Sequence, residues 1–245
     1  IDMKINVHAG HNPDGKIACG AVGLIKESTQ SRKVKGYVIK YLKAAGHTVY
    51  DCTCNNGTSQ SDVLNRIGTK CNAHMVDLDV SIHFNSGAND RNGNGKNTGT
   101  EVYVYDKSSD SYKAAENICK EISKLGFANR GVKTRTDLYV LNHTAPARKK
   151  ALLVECCFVD DKDDANLYNA KKMAQAIVIG ILNAFDSGIK KYSTRKINTF
   201  NVKGEKVGSI TKGTTCNADM YRFINGYLMA HRKKNDNWVK AKYIR

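Results

Sequence analysis

Hydrophobic positions follow two periodicities along the first three quarters of the chain. From Leu78 to Phe84, apolar residues occupy every second position, which is typical of a strand. Between Ser28 and Ala45 they recur at helical spacing and stop at Gly46. The same patterns predict further strands at 4–7, 48–52, 100–105 and 151–154, and further helices at 62–71, 115–125 and 170–185. Such alternation predicts an α/β fold with a mostly parallel sheet flanked by helices on both sides.

The pattern changes after Phe185. Short β-type runs follow, interrupted by glycines, and the last of them ends near Ile244. Several short strands in fewer than 60 residues predict a small all-β barrel. We therefore expect a first domain at 3–185, a linker at 186–190 and a second domain at 191–245.

One long polar loop interrupts the first domain. Residues Gly87 to Gly99 include four Gly and four Asn among thirteen residues. A segment of this composition is unsuited to the core, and we predict a lid over a site.

Positive charge is concentrated in the second domain. The chain carries +16 in total, and residues 188–245 hold 14 Lys and Arg against three acidic residues. This charge favours a polyanion or an anionic surface as the partner. No apolar run reaches the roughly 18–20 residues of a membrane span. The first residues lack the charged and apolar regions of a signal peptide, so we expect synthesis in the cytoplasm and action after release.

Eight cysteines are present without paired Cys-x-x-Cys motifs, and we interpret them as reduced, small apolar residues. The chemistry is instead expected from four residues at or just after predicted strand ends or helix starts: His11, Glu27, His83 and Glu155. Two imidazoles and a carboxylate suit a catalytic zinc ion, and a second carboxylate suits proton transfer. Taken singly, each could be structural, and Glu27 could simply favour a helix start. Glu155 is the most informative, because it ends an apolar strand, where an unpaired carboxylate is costly.

The motifs around these residues resemble the zinc-dependent N-acetylmuramoyl-L-alanine amidases over roughly residues 3–185. They are Met3-Lys4-Ile5-Asn6-Val7-His8-Ala9-Gly10-His11, Gly20-Ala21-Val22-Gly23-Leu24-Ile25-Lys26-Glu27-Ser28, Ile82-His83-Phe84-Asn85, and Pro146 with Leu152-Leu153-Val154-Glu155-Cys156-Cys157-Phe158. The opening departs from the usual Asp-Pro-Gly-His-Gly-Gly, and Ala147-Arg148-Lys149-Lys150 is unusually basic.

The resemblance implies that His11, Glu27 and His83 bind one zinc ion and that Glu155 is the general base and proton shuttle. The implied reaction is hydrolysis of the amide between N-acetylmuramic acid and the first L-Ala of the stem peptide. By position, Asn85 and His143 are candidate substrate contacts. We expect His8 either to support the neighbouring site residues or to be structural, and His47, His74 and His231 to lie at the surface.

The ending Trp238-Val239-Lys240-Ala241-Lys242-Tyr243-Ile244 resembles a bacterial SH3-like cell-wall-binding module. Together the two resemblances imply a monomeric peptidoglycan hydrolase, a phage endolysin or a chromosomal autolysin, that also binds an anionic wall polymer. Two alternatives remain at this stage. One is a zinc peptidase that cleaves elsewhere in the stem peptide. The other is a nucleic-acid-binding protein, suggested by the charged tail and its aromatic residues.

Overall fold

The structure, a computed structural model, describes residues 2–144 and 149–245. Its larger sheet has six strands in the order β2-β1-β3-β6-β4-β5. The strands are β1 (Lys4–Ala9), β2 (Thr48–Asp51), β3 (Leu78–Asn85), β4 (Thr100–Val104), β5 (Asn129–Thr134) and β6 (Ala151–Phe158). Neighbouring strands are parallel except for β4 and β6, which run antiparallel.

Six α-helices accompany this sheet in the described residues. They are α1 (Glu27–Ala45), α2 (Gln60–Asn72), α3 (Tyr112–Ser123), α4 (Tyr139–His143), α5 (Lys162–Leu167) and α6 (Ala170–Phe185). The buried residues of α1, α3 and α6 form one hydrophobic cluster with the sheet, and those of α2 and α4 form a second. The predicted α/β class, with a mostly parallel sheet between helices, is confirmed.

Local sequence explains several element ends. Gly46 ends α1 in the left-handed conformation, with φ of 99°, which costs glycine little because it has no Cβ. Ser59 and Asn169 cap the starts of α2 and α6, where each side chain accepts a backbone N–H. The short elements β5, α4 and α5 were absent from the sequence prediction. Strand β5 lies at the sheet edge and has no buried residue, so it leaves no alternating pattern.

The C-terminal residues form a separate five-stranded antiparallel sheet in the order β8-β7-β11-β10-β9. The strands are β7 (Ile197–Phe200), β8 (Lys206–Ile210), β9 (Ala218–Ile224), β10 (Tyr227–Arg232) and β11 (Asn237–Lys240). An all-β second region is thus present, and its assignment as an SH3-like barrel, like the domain boundaries, stays a prediction.

The two sheets are joined by a continuous apolar core. Tyr221 and Leu228 of the second sheet belong to the same buried cluster as Val38 and Ile177 of helices α1 and α6. A buried polar group lies at the same junction. Asp186 accepts a hydrogen bond from the Tyr221 hydroxyl and pairs with the Lys191 ammonium, 3.0 Å away.

The prediction that His47 lies at the surface is wrong. This residue is 5 % exposed, and its Nε2 lies 3.8 Å from Asp186 Oδ2. Burial lowers the pKa of His47 to about 4, although the Asp186 charge opposes this change. The sequence gives no sign of this burial, because the groups beside His47, the Met3 amide and the Asp186 carboxylate, are remote from it in sequence.

The glycine- and asparagine-rich loop is anchored rather than free. The Asp160 carboxylate accepts hydrogen bonds from the backbone N–H groups of Gly87, Ala88 and Asn89. Asp161 accepts from both the backbone and the hydroxyl of Thr98. Such anchoring at both ends does not fit the predicted mobile lid.

Within the described ranges, no helix combines the length and the apolar character that crossing a lipid bilayer requires.

Candidate metal centre and active site

Three predicted ligands converge at the carboxyl ends of β1 and β3 and the start of α1. The Glu27 Oε1 atom lies 3.3 Å from His11 Nε2 and 3.0 Å from His83 Nδ1. One potential ligand atom from each of the three residues lies within 4.8 Å of the others. Glu27 is 3 % exposed, whereas His11 remains partly open to solvent. The candidate centre is therefore buried at Glu27 and open to solvent at His11.

Two glycines make room for these ligands. A Cβ on Gly10 would lie 2.0 Å from His83 Cε1. A Cβ on Gly20 would lie 2.5 Å from Glu27 Oε2 and 2.7 Å from His11 Cδ2. All three distances are far below van der Waals contact, so the close approach of the backbone to these side chains requires glycine at each position.

His11 itself adopts the left-handed backbone region, with φ of 62°. This conformation is uncommon for a residue with a side chain and is held by the surrounding structure. Part of that support comes from Arg32 on α1, whose guanidinium donates hydrogen bonds to the carbonyl oxygens of His11 and Cys54 at 2.9 and 2.7 Å. The sequence does not single out Arg32, because its spacing marks it only as a polar helix position.

Backbone amides fix the Glu27 carboxylate from two sides. Ala21 N–H donates to Oε2 at 2.8 Å, and Phe84 N–H donates to Oε1 at 3.1 Å. Burial would raise the pKa of Glu27, but hydrogen bonds with His11 and His83 outweigh it and hold the pKa well below its ordinary value. Burial also lowers the pKa of His83, against the effect of Glu27. Ionised carboxylate and neutral imidazole are the forms that bind metal ions.

Glu155 lies beside this centre on the neighbouring strand. It is the register partner of His83, and in parallel strands such partners leave the sheet on the same side. Its Oε2 atom is buried and has no hydrogen-bond partner among the described residues. Burial, together with the negative charges of Glu27 and Glu101, holds the pKa of Glu155 well above its ordinary value. A carboxyl group with these properties is suited to take up and release a proton.

A second buried carboxylate, Glu101, adjoins Glu155 on the other side. The two are register partners on β4 and β6, so His83, Glu155 and Glu101 occupy neighbouring positions across three strands. Glu101 is 1 % exposed and accepts hydrogen bonds from Arg130, Lys133 and the Tyr103 hydroxyl. Glu101 was not among the residues predicted from the sequence, although a glutamate within an apolar strand is the same signal that pointed to Glu155.

The predicted substrate contacts occupy different surroundings. Asn85 donates from Nδ2 to Glu101 Oε1 at 2.8 Å, so its amide belongs to the network beside Glu155. His143 ends α4 and stacks on Tyr139, with ring centroids 4.3 Å apart. It lines a surface cleft with residues of α2, and no hydrogen bond or ring contact in the described residues joins it to the metal centre. Both assignments stay predictions.

Other predicted residues have clear surroundings. His8 is fully buried, and its Nε2 lies 3.0 Å from Asp79 Oδ1, which fits the expected structural role. His74 and His231 are half-buried. Pro146, Ala147 and Arg148 of the predicted motifs lie outside the described residues.

The donor set fits zinc. Two imidazole nitrogens and one carboxylate oxygen are a common catalytic zinc shell, which leaves a fourth position for water or substrate. The unpartnered oxygen of Glu155 and the neighbouring charges of the two other glutamates indicate that a cation would also relieve repulsion in this centre.

Known proteins resemble this chain in sequence and in fold. A sequence profile of the N-acetylmuramoyl-L-alanine amidase family matches residues 5–187. An uncharacterized Clostridium perfringens protein is 38 % identical over 170 residues, which cover 69 % of this chain and 48 % of that protein. A second Clostridium perfringens protein is 36 % identical over 199 residues, covering 80 % of this chain and 54 % of the relative. The chain thus spans about half the length of these curated relatives.

Among solved structures, the catalytic domain of the CD27L endolysin, which targets Clostridium difficile, is similar with a TM-score of 0.64 and 27 % identity. The similarity covers 74 % of this chain and 97 % of that one. With about three quarters of its residues matched by the family profile, the chain belongs to the N-acetylmuramoyl-L-alanine amidase family.

Proposed function

We propose that this protein is a zinc-dependent peptidoglycan amidase that cleaves the bond between N-acetylmuramic acid and the first L-Ala of the stem peptide. The observation that carries the proposal is the convergence of His11, Glu27 and His83 beside the unpartnered carboxyl of Glu155. Family membership supports the choice of substrate. The proposed place of action is the cell wall, as a phage endolysin or a chromosomal autolysin.

The chain's own residues have distinct roles in this proposal. His11, Glu27 and His83 hold the metal, one ion per chain, and the backbone amides on Glu27 keep its carboxylate oriented. Bound zinc would supply Lewis-acid polarisation of the scissile carbonyl and lower the pKa of a water. Glu155 takes the proton of the attacking water and passes it to the leaving amine. Asn85 and His143 remain proposed substrate contacts.

The decisive experiment combines zinc content with hydrolysis of a soluble muropeptide, for wild type and Glu155→Gln. We expect about one zinc per chain in both proteins and a loss of hydrolysis of at least 100-fold in the variant. A Glu27→Gln variant should instead lose the zinc. Retained hydrolysis by metal-free wild type would refute the proposal.

Product analysis tests the bond that is cleaved. An amidase frees the amino group of L-Ala and leaves the glycan intact, whereas a zinc peptidase frees an amino group further along the stem peptide. Release of any other amino group would assign the protein to the peptidase alternative.

We further propose that residues 191–245 are an SH3-like wall-binding module. Their strongly positive charge and their antiparallel sheet support this proposal. Electrostatic binding to walls should weaken steeply as salt rises, and retention that does not depend on salt would contradict it.

A further inference from the structure

Two neighbouring basic cavities, of about 340 and about 520 Å³, share Lys240 in their linings. The smaller lies on the C-terminal segment and the larger between that segment and helices α1 and α6; together they are called the basic groove here. Six cations line the groove: Lys40, Lys171, Arg195, Lys196, Lys240 and Lys242. The lining residues of both cavities lie in the described part of the chain, and none of them is acidic.

These cations have no acidic partners of their own. None of the six forms an ion pair with a carboxylate in residues 2–144 or 149–245, although other lysines, such as Lys26 and Lys35, do. A cleft lined by charges of one sign concentrates the electrostatic field and attracts the opposite charge. The arrangement is unfavourable in isolation and becomes favourable when an anion occupies the groove.

Aromatic rings accompany the charges. Lys240 Nζ lies 3.6 Å from the centroid of the Tyr227 ring, which is 51 % exposed, and Arg195 lies over Tyr243. The hydrogen bond from Lys242, together with the charges of Arg195 and Lys240, lowers the pKa of Tyr243. Exposed rings beside cations can pack against sugar or other apolar faces of a ligand while the cations bind its anionic groups.

The groove is built by both parts of the chain. Lys40 and Tyr37 come from α1 and Lys171 from α6, whereas the other four cations come from the C-terminal segment. The apolar core beneath the junction holds the two parts together. A ligand in the groove would therefore touch the catalytic region and the C-terminal region at once.

We propose that this groove binds a linear glycopolymer of the cell wall whose repeating units carry phosphodiesters. The repeated negative charge matches the six cations of the two cavities, and the sugar or polyol units match the exposed Tyr227 ring. The choice of a wall polymer over a nucleic acid rests on the proposed function. Binding across the junction would retain the enzyme on the wall with its catalytic region already oriented.

The test measures binding of synthetic poly(glycerol phosphate) to the full chain between 0.05 and 0.3 M salt. The variant Lys40→Gln/Lys240→Gln removes one cation that α1 contributes and one that the C-terminal segment contributes. The matched control, Lys206→Gln/Lys212→Gln, removes the same charge from exposed positions outside it. We expect the groove variant to bind at least tenfold more weakly at 0.15 M salt, with the control within about twofold of wild type. The slope of log K against log salt should fall by about 1.4, roughly 0.7 for each cation.

Equally weak polymer binding in the groove variant and the control variant would show that net charge alone governs binding and would overturn the groove proposal. Tighter binding of a single-stranded oligonucleotide of equal charge would overturn the wall-polymer assignment. Purified walls treated with hydrofluoric acid, which removes phosphodiester-linked polymers, should retain much less enzyme, and unchanged retention would also count against it.

Hydrolysis of a soluble muropeptide separates this inference from the proposed function. The groove variant should keep wild-type hydrolysis, because the residues that line the two cavities include none of the candidate metal centre. Wild-type protein that binds the polymer but hydrolyses nothing would refute the amidase proposal and leave the groove intact. Full hydrolysis without polymer binding would refute the groove proposal and leave the amidase proposal intact.

Discussion

The His83 ring packs directly against the backbone of Gly10, so that any side chain at position 10 would overlap the ring. This contact connects the loop after β1, which carries His11, with the end of β3, which carries His83. The position of a proposed metal ligand, His83, thus depends on the absence of a Cβ atom at Gly10 in a neighbouring loop.

Substitution Gly10→Ala should therefore displace the His83 ring and lower zinc affinity by at least tenfold, with a parallel loss of hydrolysis. Zinc titration with a competing chelator measures the effect. The control is Gly36→Ala in α1, where a Cβ would meet nothing within 4 Å. It should keep full zinc affinity and stabilise the protein by about 0.5–1 kcal/mol. Unchanged affinity in Gly10→Ala would contradict the steric argument.

The raised pKa of Glu155 predicts how the stability of the metal-free protein changes with pH. Above the usual 4.5, the unfolded carboxyl ionises while the folded one keeps its proton until its higher pKa is reached. Stability from this residue therefore falls as pH rises through that interval. In chelator, Glu155→Gln should be more stable than wild type at pH 8, and the difference should shrink towards pH 4.5.

Urea unfolding at several pH values measures this difference. Glu116→Gln, at an exposed position on α3, is the matched control and should show little change at any pH. A Glu155→Gln protein that is less stable at pH 8 would show that the buried carboxyl has a partner that compensates its burial.

The Asp160 carboxylate should control the order of the loop from residue 87 onwards. In Asp160→Asn, the side chain loses its negative charge and one of the two oxygens that accept from three backbone N–H groups. A hydrogen bond to a charged group contributes about 1.5–3 kcal/mol. We expect the amides of residues 87–89 to exchange hydrogen at least tenfold faster. Asp110→Asn, at an exposed position, should leave their exchange unchanged, and the same exchange in both variants would disprove the anchoring role.

The loop anchoring should also persist in moderately acidic solution. Burial would raise the pKa of Asp160, but the three amides outweigh it and hold the pKa below the usual 3.8. The carboxylate's contribution is therefore present above pH 3.8 and is lost only as pH falls through the lower folded value. Hydrogen exchange of the loop, corrected for the intrinsic pH dependence, should change only in that lower range.

The buried contacts of Asp186 with Lys191 and Tyr221 should contribute strongly to the free energy of unfolding. In Asp186→Asn the Lys191 ammonium, which is almost fully buried, loses its counter-charge, and a cost of about 3–5 kcal/mol is expected. The exposed pair of Arg135 and Asp137 provides the control, since Asp137→Asn should cost less than about 1 kcal/mol. Chemical denaturation measures both.

The continuous core also predicts one cooperative unfolding transition. Trp238, the single tryptophan, lies in the second sheet, whereas the α-helices surround the first. Tryptophan fluorescence and far-ultraviolet circular dichroism should therefore report the same midpoint. Separate midpoints would mean that the two parts unfold independently. Because the core is shared, removal of residues 188–245 should destabilise the remainder, so point variants are the better probes of wall binding.

The sequence alone determined the α/β class, the main strands and helices, and the four residues of the candidate centre. Periodicity reports which face of an element is buried, and this is a local property. The interpretation of Glu155 was possible because a charge at the end of an apolar strand is locally anomalous. The resemblance of the sequence to a known family then linked residues that are far apart in the chain.

The tertiary structure alone decided which distant groups meet. The burial of His47, the support of His11 by Arg32 and the anchoring of the long loop by Asp160 all join segments that are remote in sequence. The basic groove is of the same kind, since its cations come from α1, α6 and the C-terminal segment. Contacts of this sort depend on how elements pack, and packing leaves no periodic signal in any one of them.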